Sequence, residues 1–460
     1  MKDRRKLFGT DGIRGCANLY PMTGEVMLEL GRALAMVFRL GPDPDRIHRV
    51  LIAKDTRLSG YMLEDALAAG LCSMGVHVLQ VGPMPTPALA FLTADMRCDA
   101  GAMISASHNA FHDNGVKFFS HDGFKLPDEI EAQIEALMFS SRLERSRPSG
   151  EQIGRARRID DASGRYIVFL KKTFPKSLSL DGVRIVIDCA HGAGYKVAPT
   201  VLAELGADVV PIGTEPSGTN INDGCGALHP ERLQREVRRV RADVGVALDG
   251  DADRVLLVDE SGQLVNGDQI LALLGLEMQR TGTLERGTVV ATVMSNLGLE
   301  RALARRSVHL LRTDVGDRYV VEAMRREKLN LGGEQSGHVI FLDHNTTGDG
   351  MLTALQVLAL TRRGERPLSE LACVMEALPQ VLRAEPVARK RPFDEVPELS
   401  ESIRAVEREL GSDGRVLVRY SGTEPVARVM VEGEQLDRIE ALADDLCTEI
   451  RRHLGGGASR

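Results

Sequence analysis

Apolar and polar positions follow each other in the pattern of alternating strands and helices. Apolar residues recur at helical spacing in residues 24–38 and 63–74, and short apolar runs at 50–53 and 76–81 predict buried strands. Three prolines in residues 83–87 predict a loop. This alternation predicts a doubly wound α/β domain.

The same alternation returns twice and then changes. The second unit has predicted strands at 183–188, 207–212 and 243–248 and predicted helices at 196–205 and 231–240. The third has predicted strands at 255–259 and 288–292 and predicted helices after Gly267 and Gly348 and at 297–305 and 318–326. The last section has predicted strands at 381–387, 415–421 and 427–433 and predicted helices at 396–410 and 436–454. This last pattern predicts a small α+β domain with an antiparallel sheet.

A polar, arginine-rich stretch at residues 140–158 is the best candidate for the first domain boundary. The chain of 460 residues is too long for one hydrophobic core. We predict four domains, at residues 1–155, 156–254, 255–370 and 371–460.

Composition narrows the classes of function. The net charge of −7 supplies no overall positive field and argues against a nucleic-acid partner. Seven cysteines without a C-x-x-C pair argue against a disulfide framework or a zinc site and favour a reducing compartment. Neither a signal peptide nor a run of about 20 apolar residues is evident. We therefore expect a cytoplasmic protein that does not contact membranes.

The stretch GAMISASHNAFHDNGVKFFS, residues 101–120, places a hydroxyl, an imidazole and an amide at a strand-to-loop junction. Ser105, Ser107, His108 and Asn109 follow one apolar run and precede another. Such a junction exposes side chains on a rigid base. An ordinary polar turn is the plainer alternative.

Three carboxylates follow a predicted buried strand in LDGDADR, residues 248–254. Asp249, Asp251 and Asp253 would repel one another unless a hard cation lay between them, and oxygen ligands favour Mg²⁺ or Mn²⁺. An EF-hand loop is an alternative because Glu260 falls at position twelve, but Arg254 stands where such a loop needs glycine. A solvated acidic run without a metal is the other alternative.

Three further loops carry groups that suit a sugar phosphate. In RYSGTEPVAR, residues 419–428, arginine forks, hydroxyls and backbone N–H groups suit a phosphate monoester, although a hairpin turn with solvated arginines is also possible. FGTDGIRG places Arg14 in a glycine-rich loop, and GGEQSGH offers donors and acceptors for sugar hydroxyls unless it is a plain loop. A nucleophile, a metal site and an anion site together indicate phosphoryl transfer.

These five loops, in this order and at this spacing, resemble those of the α-D-phosphohexomutases over essentially the whole chain. The forms GGEQSGH and SGTEP resemble the glucosamine branch, since the glucose and mannose enzymes tend to carry GEMSGH and SNTEP. The proline that usually follows Ser-His-Asn in the family is Ala110 here. The resemblance implies a heart-shaped molecule with a central cleft, three similar doubly wound α/β domains and a C-terminal α+β domain.

The resemblance also implies a role for each matching residue. Ser107 would be the phosphoserine, with His108 beside it, and Arg14 and Lys117 would flank the transferring phosphoryl group. One Mg²⁺ would be held by the Ser107 phosphate and by Asp249, Asp251 and Asp253. Sugar hydroxyls would contact Glu334, Ser336 and His338. The phosphate that does not react would contact Arg419, Ser421, Gly422, Thr423 and Arg428.

The activity implied is the interconversion of glucosamine 6-phosphate and glucosamine 1-phosphate through a phosphoserine and a 1,6-bisphosphate. A hexosamine or hexose 1,6-bisphosphate would be the activator, the product would supply UDP-N-acetylglucosamine for the cell wall, and the protein would be a monomer or homodimer. One alternative is a phosphoglucomutase or phosphomannomutase of the same family. Others are a non-catalytic sugar-phosphate-binding regulator and an aspartyl-phosphate phosphotransferase, because Asp251-Ala252-Asp253 after a strand imitates that class.

Overall fold

The computed structural model describes residues 7–9, 11–40, 46–145, 147–421 and 424–455. These residues form two compact units. One contains the described parts of Met1–Met294 and Val308–Cys373, and the other contains Ser295–Ser307 and the described part of Val374–Arg460. Among the described residues, no helix combines the length and the apolar character needed to cross a membrane.

The first sheet has six strands in the order β1-β5-β4-β2-β3-β6. Its strands are β1 (Ile13–Cys16), β2 (Arg49–Lys54), β3 (His77–Pro83), β4 (Ala100–Ile104), β5 (Asp113–Ser120) and β6 (Ala156–Arg158). Its helices are α1 (Gly24–Arg39), α2 (Ser59–Ser73), α3 (Thr86–Asp95), α4 (Asp128–Met138) and α5 (Arg142–Arg145). The neighbours β4, β2, β3 and β6 are parallel, whereas β5 is antiparallel to both β4 and β1. Two predictions change here: β6 lies inside the predicted boundary stretch, and the proline-rich loop leads directly into α3. Pro87 lies in the first turn of α3, where its missing N–H costs no hydrogen bond.

The second sheet has the order β11-β10-β9-β7-β8. Its strands are β7 (Arg184–Asp188), β8 (Asp208–Ile212), β9 (Val244–Leu248), β10 (Val255–Asp259) and β11 (Leu264–Val265), and its helices are α6 (Ala162–Thr173), α7 (Val197–Glu204) and α8 (Glu231–Val240). The sequence pattern predicts the strand at 255–259 for the third unit. It instead pairs antiparallel with β9, Val255 opposite Leu248, because antiparallel strands need only a short connection. The three aspartates therefore lie in a hairpin loop within the second sheet.

The third sheet has the order β13-β12-β14-β15. Its strands are β12 (Thr288–Thr292), β13 (His309–Thr313), β14 (Leu331–Gly333) and β15 (Val339–Phe341). The helices of this part of the chain are α9 (Gly267–Thr281), α10 (Leu297–Ala304), α11 (Asp317–Glu327), α12 (Gly350–Gly364) and α13 (Leu368–Ala372). Strands β14 and β15 are antiparallel, so GGEQSGH is the turn of a hairpin. Helix α10 belongs to the second compact unit.

The last sheet is antiparallel and has three strands in the order β16-β18-β17. Its elements are β16 (Gln380–Pro386), α14 (Pro397–Leu410), β17 (Gly414–Tyr420), β18 (Val426–Gly433) and α15 (Leu436–Leu454). Alternate residues of β18 and one stripe of α15 form a common core that includes Val429, Val431, Leu446 and Ile450. Three α/β sheets followed by an antiparallel α+β domain confirm the predicted fold class.

Candidate functional site

The predicted nucleophile and the predicted metal ligands lie together. Strand β4 is buried throughout, and the turn that contains Ser107 follows it. The aspartate loop follows β9, which is also buried. The Ser107 hydroxyl donates a hydrogen bond to Asp249 Oδ2 over 2.7 Å. Ser107 itself has φ +49°, a left-handed conformation that a serine adopts only when its surroundings hold it there.

The carboxylates of Asp249, Asp251 and Asp253 are buried, and one oxygen of each lies within 4.8 Å of the others. Burial, followed by the charges of the other two aspartates, raises the pKa of Asp249. Oδ1 of Asp251 and Oδ1 of Asp253 have no hydrogen-bond partner among the described residues. Three buried carboxylates this close together, two of them with an oxygen that accepts no hydrogen bond, fit a hard divalent cation. The EF-hand alternative does not fit, because the expected position-twelve ligand, Glu260, accepts instead from the Ser369 hydroxyl and follows a strand of the sheet.

Lys117, on β5, lies against the same carboxylates. Its Nζ is 3.0 Å from Asp251 Oδ2 and 3.6 Å from Asp253 Oδ2. Burial alone would lower the pKa of Lys117, but three neighbouring carboxylates raise it, so the ammonium is charged at neutral pH. Arg14, on β1, forms an ion pair with Asp11, whose carboxylate is also 3.8 Å from Lys117 Nζ. Both predicted phosphate-flanking cations thus lie in one charge network.

His108 follows Ser107 directly, and its Nδ1 is 3.4 Å from the Ser107 hydroxyl oxygen and 3.3 Å from an Arg254 guanidinium nitrogen. Burial, then the positive charges of Arg254 and Arg14, lower the pKa of His108 to about 4. The imidazole is therefore neutral at neutral pH and can accept a proton.

The side chains of the GGEQSGH turn lie in two different environments, one at the surface and one buried. The Ser336 hydroxyl donates to Glu334 Oε2 over 3.2 Å at the surface. His338 is buried, with Nδ1 3.7 Å from Asp253 and Nε2 3.6 Å from Asp317. All three residues are predicted sugar contacts, and His338 also lies between two carboxylates.

Sequence reasoning missed several residues of this site. Lys125 Nζ pairs with Asp11 and lies 2.6 Å from Asp317 Oδ2, and the Thr86 hydroxyl donates to Asp251 over 2.6 Å. The ion pairs form a closed ring of alternating charges, in the order Asp253, Lys117, Asp11, Lys125, Asp317 and His338. Asp11 is part of the FGTDGIRG motif. No neighbouring sequence pattern indicates Lys125 or Asp317, because their partners are far away in the chain.

The predicted phosphate loop belongs to the other compact unit. Arg419 and Arg428 are directly opposite on β17 and β18, and Glu424 lies 3.3 Å from Arg428. Burial, then the charge of Arg428, lower the pKa of Arg419. The Ser421 hydroxyl accepts from the Glu424 N–H over 3.4 Å. The predicted contacts Gly422 and Thr423 lie outside the described residues.

Comparison with known proteins extends these observations to the whole chain. The four domain descriptions of phosphoglucomutase/phosphomannomutase match alpha/beta/alpha domain I at residues 5–145, domain II at 164–262, domain III at 266–378 and the C-terminal domain at 382–449.

Individual proteins match over nearly their full length. The chain is 58% identical over 98% of both chains to a phosphoglucosamine mutase of Syntrophotalea carbinolica. It is 59% identical to a phosphoglucosamine mutase of Anaeromyxobacter sp., over 98% of this chain and 96% of that one.

Solved structures share the fold. A phosphoglucomutase/phosphomannomutase family protein of Burkholderia thailandensis has a TM-score of 0.79 at 24% identity, covering 97% of both chains. An Aspergillus fumigatus N-acetylphosphoglucosamine mutase, in complex with GlcNAc-6P and magnesium, has a TM-score of 0.67 at 18% identity, covering 97% of this chain and 95% of that one. The chain belongs to the phosphoglucomutase/phosphomannomutase family, in the group of the bacterial phosphoglucosamine mutases.

Proposed function

We propose that this protein is an intramolecular phosphotransferase that interconverts glucosamine 6-phosphate and glucosamine 1-phosphate. The observation that carries the proposal is the hydroxyl of Ser107, 2.7 Å from Asp249 Oδ2 at the edge of the three-carboxylate cluster. The relatives at 58% and 59% identity carry the name of this activity.

Ser107 carries the phosphoryl group in the resting enzyme. Asp249, Asp251 and Asp253, together with that phosphate, would hold one Mg²⁺, which would offset negative charge on the transferring group. Lys117 and Arg14 supply fixed positive charge beside the same group. The orphaned oxygens of Asp251 and Asp253 support the metal assignment.

In the first half-reaction, the bond between phosphorus and Ser107 Oγ breaks while the free sugar hydroxyl oxygen bonds to the same phosphorus. The hydroxyl proton passes to the neutral imidazole of His108, which gives it to the Ser107 oxygen as phosphorus leaves, so the serine hydroxyl is restored. The resulting 1,6-bisphosphate turns over, and the bond between its other phosphorus and the sugar oxygen breaks while Ser107 Oγ bonds to that phosphorus. The Ser107 hydroxyl proton passes by the same route to the sugar oxygen. An added hexosamine or hexose 1,6-bisphosphate would therefore phosphorylate Ser107 and act as an activator.

Two loops hold the sugar phosphate in this scheme. Glu334, Ser336 and His338 bind the sugar. Arg419, Ser421, Gly422, Thr423 and Arg428 hold the phosphate that does not react. The opposed arginines support this role, because an anion between them relieves their repulsion.

The remaining assignments are proposals of the same kind. The four domains follow the predicted bounds 1–155, 156–254, 255–370 and 371–460 except at two places: β6 belongs with the first domain, and β10 and β11 belong with the second. The protein acts on its small-molecule substrate in the cytoplasm as a monomer or homodimer, without a nucleic-acid or membrane partner.

Phosphorus NMR tests the activity. With Mg²⁺ and a catalytic amount of hexose 1,6-bisphosphate, we expect a higher kcat/KM for glucosamine 6-phosphate than for glucose 6-phosphate or mannose 6-phosphate. The family description names phosphoglucomutase and phosphomannomutase. A preference for glucose 6-phosphate or mannose 6-phosphate would therefore indicate one of those activities instead.

Phosphopeptide mapping tests the nucleophile. A fraction of the purified protein should carry one phosphate on Ser107, lost in Ser107→Ala and retained in Ser105→Ala. Phosphate on Asp251 would instead support an aspartyl-phosphate mechanism.

A further inference from the structure

One buried arginine holds the backbone of the serine turn. Arg57 has no exposed surface, and its Nε donates to Asp55 Oδ2 over 2.8 Å. Its four remaining N–H groups are directed at carbonyl oxygens of the turn: Ser107 at 3.0 Å, Asn109 at 2.8 Å, Asp113 at 3.1 Å, and Ala110. All five donors of the guanidinium are thus used, and its planar fork fixes the relative positions of four carbonyls.

Asp55 holds the same turn from its other end. The Ser105 hydroxyl donates to Asp55 Oδ2 over 2.6 Å and accepts from the Ser107 N–H over 2.9 Å. The ion pair of Asp55 with Arg57 neutralises both buried charges. Together these contacts hold Ser107 in its left-handed conformation.

A second donor comes from the connection that follows β8. Asn222 Nδ2 donates to the carbonyls of Ser107 and Asn109 over 2.9 and 3.1 Å. The Ser107 carbonyl also lies against Gly250, where a Cβ would come within 2.4 Å of it. Arg57 and Asn222 therefore both donate hydrogen bonds to the serine turn, which packs closely against Gly250 of the aspartate loop.

We propose that Arg57, assisted by Asn222, is a positioning residue for phosphoryl transfer: it keeps Ser107 Oγ beside the Asp249 carboxylate without touching substrate. The proposal rests on the proposed function for its kinetic consequence, whereas its structural consequence can be measured without substrate. A displacement of about 1 Å at a reacting atom costs about 100-fold in rate.

The test compares Arg57→Lys with Arg32→Lys. Lysine keeps the positive charge but lacks the planar guanidinium with its five donors. Arg32 is a matched control because it is a buried arginine of the same domain that donates to a different carbonyl, that of Leu143. In Arg57→Lys we expect amide hydrogen exchange in residues 105–113 to accelerate about tenfold. We expect kcat for glucosamine 6-phosphate to fall about 100-fold with KM changed by less than about threefold. Arg32→Lys should change neither.

Unchanged exchange in residues 105–113 of folded Arg57→Lys would overturn the proposal, as would a loss confined to KM. If Arg57→Lys does not fold, Asn222→Ala decides: faster exchange in residues 107–109 together with a lower kcat supports the proposal, and wild-type values for both overturn it. If the wild-type protein interconverts no hexose phosphate, the proposed function fails, while the exchange measurement still tests the positioning of the turn.

Discussion

Two like charges lie opposite each other in the C-terminal hairpin, Arg419 on β17 and Arg428 on β18. Directly opposed like charges destabilise an antiparallel pair. The lowered pKa of Arg419 reflects its burial and this neighbour. The arrangement costs stability in the free protein and favours an anion, which supports the proposed phosphate site.

Arg419→Ala should therefore raise KM for glucosamine 6-phosphate and for glucosamine 1-phosphate by about tenfold or more, since loss of a charge-assisted hydrogen bond costs about 1.5–3 kcal/mol. Phosphate on Ser107 and the free energy of unfolding should not decrease. Arg383→Ala is the control, because Arg383 pairs with Asp444 at the surface of the same sheet. An effect on only one direction of the reaction would refute a shared phosphate site.

The aspartate loop and the serine turn meet at Gly250, where there is no room for a side chain. A Cβ there would lie 2.4 Å from the Ser107 carbonyl and 2.8 Å from Asn222 Nδ2. Gly250→Ala should separate the two loops and lower kcat about 100-fold. Gly164→Ala is the control: Gly164 lies within α6 in open space, so this change should preserve activity and stabilise by about 0.5–1 kcal/mol. Wild-type turnover in Gly250→Ala would show that the close approach is not needed.

Helix α12 begins at a titratable cap. Asp349 accepts from the Leu352 N–H over 3.0 Å and from the buried Tyr166 hydroxyl over 2.7 Å. Burial raises the pKa of Asp349 to about 6 from 3.8, against the lowering effect of these hydrogen bonds. Because the folded-state pKa is raised, the stability contributed by protonation is fully present below pH 3.8 and is lost as pH rises through 6.

Asp349→Asn should remove this dependence. The free energy of unfolding of the wild-type protein, minus that of Asp349→Asn, should fall by up to about 3 kcal/mol between pH 4 and pH 7. Urea unfolding of both proteins across this range measures the difference. A constant difference would mean that Asp349 titrates with its ordinary pKa.

Cation binding at the aspartate cluster should affect the stability of the whole molecule. The three buried carboxylates, with one oxygen of each within 4.8 Å of the others, repel one another even though Lys117 lies against two of them, so a bound cation should stabilise the fold. At 100 times its Kd, a ligand that binds only the folded state adds about 2.7 kcal/mol.

Mg²⁺ should therefore raise the melting temperature of EDTA-treated protein and restore its turnover. Asp251→Asn should reduce the thermal shift and lower turnover by orders of magnitude. Asp223→Asn, a change at an exposed aspartate of the same domain, should do neither. Full activity of the wild-type protein in EDTA would remove the metal from the mechanism.

The local sequence pattern was enough to predict most helices and strands and to identify the candidate reacting groups. The helix predicted at 436–454 is α15, Leu436–Leu454, because its apolar spacing is a property of the helix itself. Ser107 and the three aspartates were found in the same way, since each follows a buried apolar run that ends in a polar loop. The motifs also identified the family, which the relatives confirm.

The supporting residues became visible only in the folded chain. Arg57 contacts carbonyls about 50 positions away, and Lys125 pairs with Asp317, 192 positions away. The pairing of β10 with β9 likewise contradicted a domain assignment based on element order. Strand pairing and the packing of distant loops decide such contacts, and neither leaves a periodic signal in neighbouring residues. The residue types of the reacting groups could therefore be predicted from short motifs. The contacts that align these groups are decided by the tertiary structure.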